Sequence, residues 1–181
     1  NIMIEAMTNG GTKKRGTVFA PADALNQDPV ILSYLQSYPQ NIQVLTEGGS
    51  YAVNDVSFKT PIRHKHPVET YGFIFQTPRH TFSWIIDTKY FDDLASYYEG
   101  DLLVINVVRL NPGAPVDHLS LPDAKQIIEE IKPRIAILTH FGMTMWRAKP
   151  WELAKKLSEE TGISVIAARD GMKFDLVQLE E

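Results

Sequence analysis

The chain has 181 residues, of which 44% are hydrophobic, enough for a single domain with a sizeable core. Its formal net charge of −4 disfavours a protein dominated by affinity for nucleic acid, although a local basic patch could still bind RNA. The chain contains no cysteine, which excludes disulfides and leaves nitrogen and oxygen ligands for any metal. No apolar run approaches the roughly twenty residues of a membrane span, so we expect a cytoplasmic location.

The first half of the sequence predicts short helices and many strands. We expect a helix over residues 1–8 that stops at Gly10-Gly11, a helical turn opening at Pro21 and a helix over 29–38. Alternating or continuous apolar runs predict strands over 17–20, 42–45, 51–53, 56–62, 72–76 and 81–86.

The second half alternates between helices and strands. Helices are predicted over 91–98, over 120–132 with Ser120 and Asp123 as a capping box, and over 150–161. The apolar run 135–138 is too continuous for a half-exposed strand, so we expect it to be covered on both faces. Further strands are expected over 102–107, 164–167 and 172–177. This order predicts an α/β (α+β) fold with two sheets and helices outside them.

Side chains that can bind a metal follow three of these elements. Asp87 and His140 come directly after predicted strands, and His66 follows the strand over 56–62. Ligands of α/β proteins bind where the strands of the sheet end. A buried carboxylate there costs several kcal/mol unless it is paired, hydrogen-bonded or bound to a metal. Two imidazoles and one carboxylate therefore predict a divalent-metal site.

On these residues the chain resembles the metallo-β-lactamase-fold hydrolases over nearly its whole length. The resemblance rests on four elements, which are His66 with Tyr71-Gly72, Asp87-Thr88, His118-Leu-Ser-Leu-Pro-Asp-Ala124 and Thr139-His140-Phe-Gly142. Within that superfamily the chain is most similar to the ribonuclease Z-like and phosphodiesterase-like branch. The resemblance implies an αββα sandwich.

The family's motif His-x-His-x-Asp-His is absent from these residues, and the segment from Asn1 to Gly11 resembles the helix that carries it. We interpret the chain as one domain over 1–181, the C-terminal two-thirds of a larger and here N-terminally incomplete hydrolase. The alternative is a homologue that has lost its metals and kept the fold as a binding or structural protein. Because three ligand positions remain, we expect weak or absent metal binding by these residues alone.

The resemblance implies metal-assisted hydrolysis of a phosphodiester or related ester, in which a metal-activated water attacks phosphorus or a carbonyl. The intact protein would hold two zinc ions, with manganese or iron as alternatives. Asp87 would bridge the ions and so share in catalysis, while His66 and His140 would each complete one site. His118 would act as a general acid near the scissile phosphate, unless it is an ordinary loop histidine. The implied substrate is a small-molecule or nucleotide or RNA ester, and a homodimer is compatible with the resemblance.

Three assignments stay open. His64 lies two residues before His66 and would share its face on a strand, so it could be the ligand instead, although the spacing to Tyr71-Gly72 favours His66. Trp146 and Arg147 are expected in a loop after His140, where they either shape a substrate pocket or serve aromatic packing.

Overall fold

The computed structural model describes residues 1–26, 28–113 and 115–179. The chain divides into two compact units, Asn1–Glu47 and Gly48–Glu181. That the whole chain forms one domain stays a prediction. Among the described residues, no helix has the length and apolar character of a membrane span.

The unit Asn1–Glu47 contains one helix and a two-stranded parallel sheet. Helix α1 (Ile2–Thr8) is followed by strand β1 (Thr17–Ala20), which pairs in parallel with β2 (Asn41–Val44). Single 3₁₀ turns cover Ala22–Leu25 and Ser33–Ser37.

The helix predicted over 29–38 is wrong in its first part. Only the 3₁₀ turn Ser33–Ser37 forms, and Leu32 before it has an extended ψ of 137°. The side-chain amide of Gln36 donates to the carbonyl oxygen of Ile31 over 2.9 Å and to that of Leu25 over 3.1 Å. These carbonyls are therefore satisfied by a side chain and need no helical turn.

The unit Gly48–Glu181 is built on a seven-stranded sheet in which the strands lie in sequence order. The strands are β3 (Gly49–Val53), β4 (Val56–Thr60), β5 (Phe73–Gln76), β6 (Thr81–Ile85), β7 (Leu102–Asn106), β8 (Ile135–Thr139) and β9 (Ser164–Ala167). β3 to β6 pair antiparallel, and β6 to β9 pair in parallel. This mixed sheet with its helices confirms the predicted α/β class.

Three helices connect the parallel strands: α2 (Leu121–Ile131), α3 (Met143–Arg147) and α4 (Pro150–Thr161). The predicted capping box is confirmed, because one Asp123 carboxylate oxygen accepts from the Ser120 amide over 2.8 Å and from its hydroxyl over 2.6 Å. Two 3₁₀ turns, Leu94–Tyr97 and Leu176–Leu179, complete the unit.

Three local predictions in this unit are wrong. The helix over 91–98 is only the 3₁₀ turn Leu94–Tyr97, because Tyr98 turns to an extended conformation and buries its ring against His64. The segment 172–177 is not a strand, since its apolar residues pack in a cluster with Leu179 instead of pairing at the sheet edge. Trp146 and Arg147 belong to α3 and not to a loop.

The apolar strand β8 is buried on both faces, as predicted. Ala136 and Leu138 belong to the main core cluster, which also contains Ile127 of α2. Ile137, which points to the other face, packs in a second cluster with Leu102 and Leu179. The strand is therefore a rigid support for the residue that follows it, His140.

Candidate metal centre

The ends of three parallel strands bring polar side chains together. β6, β7 and β8 run in the same direction, so their carboxyl ends meet at one edge of the sheet, where Asp87, Asn106 and His140 lie. The amide of Asn106 donates to Oδ1 of Asp87 over 3.0 Å. This hydrogen bond fixes the orientation of the carboxylate.

Four side chains meet here and form what we call the histidine–aspartate cluster: His66, Asp87, His118 and His140. Ligand atoms of His66, Asp87 and His118 all lie within 4.8 Å of one another. Oδ1 of Asp87 is 3.6 Å from Nδ1 of His118 and 3.3 Å from Nε2 of His140. The His118 ring centre is 5.4 Å from that of His66 and 6.1 Å from that of His140.

One atom of the cluster is buried without a satisfied hydrogen bond. Nδ1 of His118 has no hydrogen-bond partner within the described part of the chain. Leaving a buried polar nitrogen unpaired costs about 1–3 kcal/mol. Imidazole nitrogens and a carboxylate oxygen at this spacing are the donor set of zinc and similar divalent ions, so the residues fit such an ion.

The loop after β8 places His140 and requires a glycine. His140 has a left-handed backbone with φ of 60°, and the amide of Gly142 donates to the carbonyl oxygen of Val108 over 3.0 Å. A Cβ atom on Gly142 would lie 2.5 Å from that oxygen. The close approach explains why glycine follows Phe141, and it anchors the turn that carries His140.

His66 lies in a loop and not on a strand. β4 ends at Thr60 instead of the predicted residue 62, so the argument that His64 and His66 share one strand face does not apply. Nδ1 of His66 is 3.4 Å from the hydroxyl of Thr70, which can orient the ring.

His64 has a different environment from His66. It is 3% exposed, and its Nε2 lies 2.6 Å from the hydroxyl of Tyr98. Burial lowers the pKa of His64 to about 4, against a smaller opposing effect of Asp87. His66, and not His64, is the histidine whose ligand atom lies with those of Asp87 and His118.

A glycine allows the buried pair of His64 and Tyr98 to form. A Cβ atom on Gly72 would overlap the Tyr98 hydroxyl and lie 2.8 Å from Cε1 and Nε2 of His64. Gly72 therefore leaves room for the contact between His64 and Tyr98. That contact holds His64, which lies two residues before His66 in the same loop.

Sequence reasoning missed several residues around the cluster. Asn106 is the last residue of β7, one residue before the predicted end of that strand, so a search for polar side chains near strand ends could have found it. Thr70 contacts His66 from four residues away in the same loop, whereas Tyr98 contacts His64 from 34 residues away, and no sequence pattern marks either contact.

The comparisons with known proteins identify the family of the chain. Residues 3–141 match the family model of the beta-lactamase superfamily domain. An uncharacterised protein of Methanocaldococcus jannaschii, MJ1374, is 32% identical over 184 residues, which cover 97% of this chain and 68% of that protein. The chain therefore belongs to the beta-lactamase superfamily domain family.

Solved structures show the same fold. The metallo-β-lactamase fold protein YhfI from Bacillus subtilis superposes with a TM-score of 0.72 at 17% identity, covering 91% of this chain and 67% of that one. A diphosphatase from the PhnP family has a TM-score of 0.65 at 15% identity (96% and 64% covered). Igni18, a metallo hydrolase from Ignicoccus hospitalis, has a TM-score of 0.63 at 14% identity (96% and 74% covered). The chain thus has the metallo-β-lactamase fold, and the family model over residues 3–141 confirms the predicted superfamily.

Proposed function

We propose that the protein is a metal-dependent hydrolase of a phosphodiester or related ester, and that the histidine–aspartate cluster holds its metal. The observation that carries the proposal is the convergence of His66, Asp87 and His118 within 4.8 Å, together with the buried Nδ1 of His118, which makes no hydrogen bond within the described part of the chain. Three converging ligands are the number that catalytic zinc sites use. We therefore expect any ion bound by these residues alone to be held more weakly than in a protein that also supplies the His-x-His-x-Asp-His motif.

The donor set suits zinc, with manganese or iron as alternatives, and two ions are expected from the family resemblance. When bound, a divalent ion supplies Lewis acidity toward the ester and lowers the pKa of water. Asp87 would hold the ion through an oxygen that Asn106 orients from 3.0 Å. Removing such an orienting partner costs about 10–100-fold in metal affinity or activity.

His118 is assigned two roles that can be separated. Its Nδ1 lies 3.6 Å from Oδ1 of Asp87, and its imidazole belongs to the set of possible ligands. An imidazole can also serve as the general acid expected from the sequence, which would deliver a proton to the leaving oxygen. Loss of turnover in His118→Ala with unchanged metal content would identify the acid, and loss of both would identify the ligand.

The choice of a phosphorus ester rests on the similarity to the ribonuclease Z-like and phosphodiesterase-like branch. The structural similarity to a protein described as a diphosphatase supports it. A preceding segment with the His-x-His-x-Asp-His motif, a cytoplasmic location and a homodimer stay predictions.

The proposal is tested by assaying the zinc- or manganese-loaded protein against bis-p-nitrophenyl phosphate, a lactone and a β-lactam. We expect turnover of the phosphodiester that falls at least about 100-fold in Asp87→Asn, because the anionic oxygen ligand becomes a weaker, neutral amide oxygen. His80→Ala is the matched control, since His80 lies outside the cluster beside Asp101. No hydrolysis with any metal would favour the non-catalytic homologue, and hydrolysis that does not depend on a metal would contradict the proposed metal-assisted reaction.

A further inference from the structure

Two adjoining cavities lead away from the histidine–aspartate cluster. The first, of about 570 Å³, is lined by His140, Trp146 and Arg169 among others. The second, of about 470 Å³, is lined by Trp146, Arg169 and Trp151 among others. Because the cavities share Trp146 and Arg169, one concave surface runs from His140 to Trp151. We call the surface formed by Trp146, Trp151 and Arg169 the indole groove.

The two indole rings of this groove are exposed to solvent. Trp146 is 58% exposed and Trp151 is 55% exposed. Their ring centres are 6.0 Å apart, and their planes meet at 81°. Tryptophan is highly buried on average, so two exposed indoles that border a cavity beside a candidate active site indicate a binding surface. A planar ring is the ligand that gains most from such a surface, through stacking or edge contacts.

The charges of the groove favour a ligand with one anionic group. Arg169 lies exposed in the turn after β9, and its guanidinium can bind a phosphate through two parallel hydrogen bonds. Asp170, beside it, also lines the first cavity. Arg169 is the only lysine or arginine among the residues that line the two cavities in the described part of the chain, so a ligand with a single phosphate fits better than a polyanion.

We propose that the indole groove binds the aromatic part of the ester substrate, which makes that substrate a phosphate ester of a nucleoside or of an aryl alcohol. The inference rests on the proposed function, because the groove opens from His140 of the cluster. Trp146 and Trp151 are then specificity residues, and Arg169 positions the phosphate.

The test is calorimetric binding, which needs no turnover. Adenosine monophosphate and ribose 5-phosphate share the sugar and the phosphate and differ by the base, and phenyl and methyl phosphate form a second pair. In at least one pair, the wild type should bind the aromatic member more tightly than the non-aromatic one. We expect Trp146→Ala to weaken binding of that aromatic member by about 5- to 100-fold and to leave the affinity for the non-aromatic member unchanged. Trp146→Phe should retain most of the preference. Met143→Ala, a change at a 62% exposed residue of the same helix, is the control.

Arg169→Ala should weaken the binding of both members of a pair equally. Arg147→Ala, a change next to Trp146 on α3, should weaken the binding of neither. The pair that shows the preference distinguishes a nucleoside from an aryl ester. Equal affinity for aromatic and non-aromatic phosphates, no binding of either, or an equal loss of both in Trp146→Ala would overturn the inference.

The two proposals fail differently. If the protein prefers aromatic phosphates but has no hydrolase activity, the groove proposal is supported and the proposed function is contradicted. Turnover of phosphodiesters that Trp146→Ala lowers equally for aryl and alkyl esters would contradict the groove proposal and leave the proposed hydrolase activity intact.

Discussion

Replacing Gly72 by alanine tests how the loop that carries His66 is held. Gly72 has no left-handed backbone angle, so alanine can adopt its conformation and the cost is steric. The added methyl group would overlap the hydroxyl of Tyr98 and lie 2.8 Å from Nε2 of His64. These side chains are only 5% and 3% exposed, which leaves them little room to move.

The expected loss follows from two contributions. Overpacking a filled core costs about 1–3 kcal/mol. Separating the buried hydrogen bond between His64 and Tyr98, which spans 2.6 Å, costs about 1–3 kcal/mol more. The sum of about 2–6 kcal/mol is a large part of the 5–15 kcal/mol by which domains are usually stable. In urea unfolding followed by circular dichroism, a slope of about 2 kcal/mol per M gives a fall of the midpoint by about 1–3 M.

A double-mutant cycle makes this reasoning refutable. Tyr98→Phe alone should lose only the hydrogen bond, and the double variant with Gly72→Ala should lose less than the sum, because the oxygen that the methyl group meets is gone. Tyr97→Phe, at a neighbouring tyrosine that is 39% exposed, should leave the midpoint unchanged. A Gly72→Ala protein as stable as the wild type, or strictly additive losses in the cycle, would contradict the proposed clash.

Two further predictions concern the other supports of the cluster. Gly142→Ala should cost about 1–3 kcal/mol in urea unfolding, because the new methyl group would meet the backbone oxygen of Val108 at 2.5 Å; unchanged stability would refute the close approach. Asp123→Ala should lower the free energy of unfolding by about 1–2 kcal/mol in thermal unfolding, because it leaves the amide and hydroxyl of the buried Ser120 without their partner. The matched change Glu129→Ala, on the exposed side of the same helix, should have an effect below about 0.5 kcal/mol, and equal losses in both variants would show that the cap contributes nothing.

Much of the fold could be predicted because its signals are local. The apolar run of β8, the capping box at Ser120 and the proline and glycine around α4 each lie within a dozen residues. Asp87 and His140 could be placed together because parallel strands end at one edge of a sheet.

The remaining errors come from contacts between distant residues. The environments of His64 and His66 differ because of Tyr98, which lies 34 residues after His64. The apolar alternation of 172–177 is the same for an edge strand as for a segment that packs on a sheet face, so only the tertiary structure decides between them. The indole groove unites residues from α3, from α4 and from the turn after β9, and no sequence pattern links them.

Equilibrium dialysis against zinc tests the central claim most directly. We expect one zinc ion or more per chain, with affinity at least about tenfold lower in His66→Ala, Asp87→Ala and His118→Ala, and unchanged in His80→Ala. Absence of zinc binding in the wild type, or the same affinity in the wild type and all four variants, would show that these side chains meet for a reason other than a metal.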